Sequence, residues 1–310
     1  MLPRRVSKLS GAFPTLERRI TTKRKILIIA IAIIAFLLSL GITLYPVISS
    51  SYHEKHQSQI QVSYQEQLEQ VDTAAVDTAR KQAIQYNQAM LEGVREDAFD
   101  HEVLLCAAEG YKDQLNIAGN GIMGYVEIPN IRVSLPIYHG TEDATLQKGV
   151  GHLLGSSLPV GGESTHAVLT GHSGMASQRM FSDLDLIKTG DVFYLDVLGE
   201  RMAYQVDQIK TVLPYDTTHL EIISGMDHCT LVTCTPFGVN THRLLVRGIR
   251  IPYEQAQIIV EEILAEEMPE STWEQEYKNG ICITAAIVVL VGLAVLAVWL
   301  CRRLRHGRMA

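Results

Sequence analysis

The sequence predicts a mainly β domain closed, or nearly closed, into a barrel, with helices before it and a transmembrane helix near each chain end. Three observations lead to this fold class. From Gly121 onwards, short β-favouring runs alternate with Gly, Pro, Asn and Asp, as is typical of barrels. A stretch rich in Gln, Glu, Ala and Lys precedes them and favours helix. Two long uncharged apolar runs are each long enough to cross a bilayer.

The first apolar run, residues 26–48, follows a basic tail at residues 1–25 that holds eight Lys or Arg residues against the single acid Glu17. A cleaved signal peptide is the alternative to a membrane anchor. The run is longer than the usual apolar part of a signal peptide, and it lacks a clear small-x-small cleavage site. These two features favour a retained transmembrane helix.

The second apolar run, residues 281–301, precedes another basic tail at residues 302–310, with four arginines and no acid. Positively charged flanks stay in the cytoplasm. The expected protein is therefore a two-pass cell-membrane protein in contact with lipid, with both termini cytoplasmic and residues 49–280 extracellular. Because the net charge is −7 although both ends are basic, the extracellular part is acidic, which argues against a nucleic-acid partner.

Residues 49–120 are predicted to form an extracellular helical region of one or two helices, with a break at residues 93–99. Residues 50–105 contain no proline, and Gly93 is their only glycine. Apolar residues recur at spacings near three and four, which predicts an amphipathic face that packs on another part of the protein. The residues of this face are Ile60, Val62, Leu68, Val71, Ala75, Ala79, Ile84, Met90 and Leu91.

The β region, residues 121–252, is long enough to bury its own core. Seven strands are predicted, with an eighth near 149–154. The seven cover residues 124–129, 133–138, 166–170, 191–197, 202–213, 228–235 and 243–251. A short helix is predicted at 180–186, and an acidic helical linker at 253–280 follows Pro252.

The five cysteines exclude a dense disulfide framework. Cys282 and Cys301 belong to the second apolar run, which leaves Cys106, Cys229 and Cys234 outside it. Three cysteines cannot all pair within one chain, although a Cys106–Cys229 disulfide stays open. The cysteine and histidine spacings do not match a zinc site, and no metal or other cofactor is expected.

Cys234 ends one predicted strand, and Arg243 starts the next. If the two strands pair, the thiol faces a permanent cation, which favours the reactive thiolate. The alternative is that Cys234 is a small buried apolar residue, as a lone strand cysteine more often is. A cysteine nucleophile also needs a base.

His172 is the candidate base, because it follows the apolar strand residues 167–170 and has small neighbours that leave its ring accessible. Cys234 would then attack a peptide carbonyl, His172 would transfer protons and Arg243 would stabilise the oxyanion. The other histidines of the β region are interpreted as satisfied core or loop residues: His139, His152, His166, His219, His228 and His242.

Three motifs resemble those of the sortases, cysteine transpeptidases of Gram-positive cell surfaces. They are Thr-Leu-Val-Thr-Cys at 230–234, the arginine nine residues later, and Thr-Gly-His at 170–172. Further stretches resemble the pilus-assembling class C branch, which is also similar in keeping a second C-terminal helix. These stretches are Gly-Tyr-Val-Glu-Ile-Pro at 124–129, Ser-Leu-Pro-Val-Gly-Gly at 157–162, Gly-Asp-Val-Phe-Tyr-Leu at 190–195 and Arg-Leu-Leu-Val-Arg-Gly at 243–248.

The resemblance implies an eight-stranded sortase-type barrel that cleaves a Leu-Pro-x-Thr-Gly-like (LPxTG-like) sorting signal between Thr and Gly. A thioester acyl-enzyme would pass the Thr carbonyl to a lysine amine of another pilin subunit, so pilin subunits are the implied partners. Cys234 would be the nucleophile, His172 the acid and base, and Arg243 the oxyanion or substrate clamp. Residues 213–227 would wall the substrate groove.

Class C sortases carry a lid with Asp-Pro followed by an aromatic residue. This sequence has Asp97-Ala98-Phe99 at about that place, with alanine instead of proline. The resemblance implies a lid at residues 97–99, in which Asp97 pairs with Arg243 and Phe99 covers Cys234. The alternative is that Asp97 and Phe99 merely end a helix.

Three other functions compete with pilus polymerisation. A housekeeping-type sortase would use the same three residues to anchor proteins to cell-wall peptide. A cysteine hydrolase would differ only in resolving the acyl-enzyme with water. A non-catalytic membrane-tethered scaffold for pilus assembly would keep the barrel without the chemistry.

Overall fold

A computed structural model describes residues 60–96, with side chains to residue 91, and residues 110–173, 178–265, 279–287 and 292. Near the N-terminus it describes residues 27, 30, 31, 33–41, 45, 48 and 49. The chain divides into two compact units, residues 1–46 with 278–310 and residues 47–277. The described residues of the first unit are helical. No helix within the described residues is long and apolar enough to cross a membrane.

The second unit contains the predicted closed barrel, and eight strands form it in the order β1-β2-β3-β4-β7-β8-β6-β5. The pairs β2/β3 and β4/β7 are parallel, and the other neighbours are antiparallel. The predicted eighth strand near 149–154 is present as β3. The strands are β1 Ile122–Ile128, β2 Val133–His139, β3 Val150–His152, β4 Thr165–Thr170, β5 Val192–Val197, β6 Glu200–Val212, β7 Asp227–Thr235 and β8 His242–Ile251.

The strands β4, β7 and β8 have apolar residues at consecutive positions. Because successive residues of a strand point to opposite faces, both faces of these strands carry apolar side chains. On the inner face Leu169, Leu231 and Val246 are buried in the main core. On the outer face a second cluster is formed by Val168, Val212, Val232 and Leu245, with the half-buried Leu153 and Leu220 packed against it from two loops. We call this outer cluster and its two flanking leucines the apolar groove.

The helical region before the barrel forms two helices, α1 at residues 60–70 and α2 at Thr73–Glu96. They are separated at Val71 and Asp72, a break that was not predicted. The Asp72 carboxylate accepts a hydrogen bond from the Ala74 amide at 3.2 Å, as a helix N-cap does. The predicted break at 93–99 is only partly described, because α2 continues through Gly93 to Glu96 and residues 97–109 lie outside the described residues.

The predicted amphipathic face of these helices is correct in part. Tyr64 of α1 is buried against Tyr125, with Ile60 and Leu68 beside it. Val62, Ala75 and Ile84 are exposed instead. Val62 lies two residues from both Ile60 and Tyr64, and at 3.6 residues per turn it therefore points away from the face that they share. On α2, Ala83 enters the main core.

The predicted short helix at 180–186 is present in part, as a 3-10 helix at Leu184–Leu186. Backbone bonds there span three residues, such as Leu184 to Phe181 and Leu186 to Asp183, and residues 180–183 form turns. Met180 has a positive φ of 43°, so it cannot belong to a right-handed helix. The turns bury Met180, Phe181 and Leu184 in the core. After Pro252, α3 covers Tyr253–Ala265, as the start of the predicted linker.

Candidate functional site

Cys234 and Arg243 lie directly opposite each other in the antiparallel β7/β8 pair. Directly opposed residues share a face of the sheet, and Val232 and Leu245, the next pair on that face, belong to the apolar groove. The Cys234 thiol is free and half-buried. The predicted pairing of the two strands is thus confirmed, with Cys234 opposite Arg243 on the outer wall of the barrel.

His172 is brought to the same end of the barrel by the parallel pairing of β4 with β7. Thr170 pairs with Val232, and the next residue, Gly171, still donates its amide to the Val232 carbonyl at 3.0 Å. His172 follows Thr170 by two residues, and Cys234 follows Val232 by two residues. The register therefore brings the segment that carries His172 to the end of β7 that carries Cys234, although 61 residues lie between these two residues in the chain.

Two hydroxyl groups that sequence reasoning missed fasten the His172 segment to β7. The hydroxyl of the buried Thr233 donates a hydrogen bond to the Gly171 carbonyl at 2.8 Å, and the Ser173 hydroxyl donates one to the Cys234 carbonyl at 2.7 Å. These residues flank His172 and Cys234 in the motifs 170–174 and 230–234. Their hydroxyls could have been suspected there, but their partners depend on the register.

Arg243 is held by the turn that joins β7 to β8. Its Nη1 donates to the carbonyls of Asn240 at 3.3 Å and His242 at 3.1 Å. Arginine has five N–H donors, and the bonds described for Arg243 come from Nη1 alone. Within the described part of the chain, the other donors of the guanidinium make no hydrogen bond.

Four of the described histidines of the β region have hydrogen-bond partners, as predicted: His139, His152, His166 and His242. His152 is fully buried and contacts the Tyr111 hydroxyl at 2.8 Å and the Ser157 carbonyl at 2.9 Å. Burial lowers the pKa of His152 to about 4. His166 has the same lowered pKa for the same reason. His228 departs from the prediction, because its buried Nδ1 has no hydrogen-bond partner.

The remaining site predictions have different outcomes. Cys229 is a free, fully buried thiol rather than half of a disulfide. Burial raises its pKa well above the ordinary value, which makes it an inert core residue. Cys106, Asp97 and Phe99 lie outside the described residues, so the lid at 97–99 stays a prediction.

Comparisons with known proteins agree with this fold. A model of the sortase domain matches residues 126–251. Sortase C1 of Streptococcus agalactiae is 45% identical, with a TM-score of 0.56, over 63% of this chain and 98% of that chain. Sortase C of Streptococcus pneumoniae is 42% identical, with a TM-score of 0.55, over 63% and 97%. Sortase C of Clostridium perfringens, solved with the C-terminal cell wall sorting motif, is 41% identical, with a TM-score of 0.53, over 63% and 99%.

The closed barrel, with a strand-end cysteine, an arginine and a histidine on its outer wall, defines a β-barrel protein of the sortase type. At 45% identity over nearly the whole of a solved sortase C1, the chain belongs to the sortase family, and its solved neighbours are class C sortases. The chain spans 52–63% of the length of the curated sortases that it matches.

Proposed function

We propose that this chain is a cysteine transpeptidase that cleaves an LPxTG-like sorting signal between Thr and Gly and joins the Thr carbonyl to a lysine of another pilin subunit. The observation that supports the proposal is the register of β4, β7 and β8, which pairs Cys234 with Arg243 and brings the end of β4, two residues before His172, next to β7. Two neighbours support the substrate class. The Clostridium perfringens enzyme was solved with a sorting motif, and the Streptococcus pneumoniae structure concerns pilin substrate specificity.

We expect the Leu-Pro part of the signal to bind against Leu153 and Leu220 of the apolar groove, because these two are half-buried whereas the four residues beneath them are 1–8% exposed. Its floor, from Val168 to Leu245, leads along the outer face of the barrel towards Cys234, and Leu153 and Leu220 flank it. Apolar side chains bound there would leave water. Binding in this groove would set the Thr–Gly peptide bond above the thiol.

In the first half of the reaction, the Cys234 thiolate attacks the Thr carbonyl carbon. The carbonyl oxygen becomes an oxyanion, and the free N–H donors of Arg243 stabilise it. Protonated His172 then gives its proton to the departing Gly amine, and the C–N bond breaks. The products are a thioester on Cys234 and a released glycine-terminated segment.

In the second half, a lysine amine attacks the thioester carbonyl. Neutral His172 takes a proton from this amine, and the Cys234 sulfur leaves as the thiolate. An isopeptide bond replaces the original peptide bond, so the thioester conserves the energy of the first bond and ATP is not needed. The enzyme returns to its starting protonation state.

The two apolar runs and the lid segment complete the proposal. The apolar runs at 26–48 and 281–301, with their basic flanks, would anchor the barrel outside the cytoplasmic membrane. The Asp97 and Phe99 lid would cover the thiol until a sorting signal arrives.

The test is to incubate the protein with a fluorescent LPxTG peptide, with and without a pilin subunit that supplies the lysine. We expect cleavage by the wild type, a peptide–pilin crosslink when the lysine is present, and no reaction by Cys234→Ala. Cys282→Ala is the matched control, because this free thiol is exposed and lies far along the chain from the barrel. Arg243→Lys should lower kcat by about 100- to 1000-fold, because lysine keeps the charge but not the fork of donors.

Other outcomes would identify the competing functions. Cleavage without a crosslink to pilin lysine, but with transfer to a cell-wall peptide amine, would indicate a housekeeping-type sortase. Release of free acid alone under all conditions would indicate a hydrolase. A Cys234→Ala variant that still supports pilus polymers in cells would point to a scaffold and overturn the enzymatic proposal.

A further inference from the structure

His166 lies on the outer face of β4, on the same side as Val168 of the apolar groove. Although it points away from the core of the barrel, it is only 1% exposed. The loop of residues 213–226, which joins β6 to β7, covers it. Most of this loop is itself exposed to solvent, so its position depends on a few anchoring bonds.

The two ring nitrogens of His166 bind two different elements. Nδ1 lies 2.9 Å from the backbone carbonyl of Glu221 in the loop, and Nε2 lies 2.7 Å from the Thr230 hydroxyl on β7. A carbonyl oxygen can only accept, so Nδ1 carries the proton and donates it to Glu221. In the neutral ring Nε2 then accepts from Thr230.

The Glu221 bond fixes the loop next to its contact with the groove. Glu221 directly follows Leu220, and Leu220 packs on the floor formed by Val168, Val212, Val232 and Leu245. Other bonds hold the loop further along, where Gly225 donates to the Ser164 hydroxyl at 2.9 Å and Thr165 donates to the Met226 carbonyl at 3.1 Å. Without the His166 bond, Leu220 would lose the anchor beside it.

We propose that His166 is a positioning residue for substrate binding, which holds the Glu221 carbonyl so that Leu220 walls the apolar groove. This inference rests on the proposed function, because the groove is taken to receive the sorting signal. His166 itself does not touch the reacting atoms. Its loss should weaken binding of the peptide and leave the chemistry at Cys234 nearly unchanged.

The test compares two substitutions that each keep half of the imidazole's hydrogen bonding. In His166→Asn the amide nitrogen takes the place of Nδ1 and can still donate to Glu221, whereas in His166→Gln the longer side chain reaches towards the place of Nε2. We expect His166→Gln to raise KM for the sorting-signal peptide about five- to tenfold, the size of one net hydrogen bond. Its kcat and the rate of Cys234 alkylation should stay within about twofold of wild type, and His166→Asn should have a near-normal KM.

Hydrogen exchange gives a readout that does not depend on activity. Amides near Leu220 and Glu221 should exchange faster in His166→Gln than in the wild type or His166→Asn. Ser164→Ala is the matched control, because it removes the anchor at Gly225. It should speed exchange there without changing KM.

Two results would overturn the inference. In one, His166→Gln matches the wild type in both KM and loop exchange. In the other, the Gln and Asn variants lose activity equally and melt at equally lowered temperatures, which would make His166 a general stability residue. If the wild type does not cleave the peptide at all, the proposed function fails instead, and the exchange comparison alone decides whether His166 holds the loop.

Discussion

Mild acid should destabilise this protein through two buried histidines. His152 and His166 are 0% and 1% exposed, and burial lowers the pKa of each from the usual 6.5 to about 4. The unfolded chain therefore binds protons at these sites between about pH 6.5 and 4, where the folded chain does not. Stability is fully present above this interval and falls as the pH decreases through it.

The size of the effect follows from these pKa values. Between pH 7 and pH 5.5, each histidine should cost about 1 kcal/mol of unfolding free energy, and the two together about 2 to 3 kcal/mol. Burial also lowers the pKa of His139 and His228, which acts in the same direction. Burial raises the pKa of Asp185 and Asp196. These carboxyl groups stabilise the folded chain as the pH falls further and so oppose the loss of unfolding free energy. The effect of the histidines is therefore clearer at pH 5.5 than at a lower pH.

The assay is urea unfolding followed by intrinsic fluorescence at pH 7 and pH 5.5. The midpoint should fall by roughly 1 M at the lower pH, given the usual dependence of unfolding free energy on urea. His166→Asn removes one of the two titrating groups and should lose about 1 kcal/mol of the pH dependence. A midpoint that does not change with pH would refute the reasoning, as would a His166→Asn variant with the full wild-type dependence.

Two further substitutions test the packing around the barrel. Asn87→Ala removes the bonds that Asn87 makes to the Leu158 carbonyl at 3.1 Å and amide at 2.7 Å. Because both backbone groups are buried, it should cost about 2 to 4 kcal/mol in urea unfolding; a loss below half of that would contradict the docking of α2. At Gly171 an added Cβ would lie 2.6 Å from the Phe181 ring, so Gly171→Ala should lower stability by about 1 to 3 kcal/mol. It should also lower kcat by displacing His172; unchanged kcat and melting temperature would count against this contact.

Much of the fold could be predicted locally. The strand pattern of the β region was recognisable because β-favouring runs and turn residues alternate over short distances. The helical region was recognisable from its composition, but the side of each helix that is buried was predicted only in part. Asp72 is a capping residue type that could have indicated the start of α2. Val62 was assigned to the buried face although it lies two residues from Ile60, which a helix places on another side.

The candidate site was predicted to a similar degree. Cys234, Arg243 and His172 were selected by their residue types and strand-end positions. The structure pairs Cys234 with Arg243 and brings the end of β4, which precedes His172, next to β7. Sequence reasoning grouped His166 with satisfied core or loop residues, which is correct for its bonding. It could not identify Glu221 as the partner, because a backbone carbonyl has no sequence signature.

The sequence by itself determined which segments form strands and helices, which three side chains could carry thiol chemistry, and the family. These properties depend on residue type and on short-range spacing. Only the tertiary structure decided that β4 lies parallel to β7 in the register that pairs Thr170 with Val232, and that a loop carbonyl is bonded to His166. The reason is physical: register between distant strands is fixed by burial of whole faces and by long-range hydrogen bonds, which no local pattern specifies.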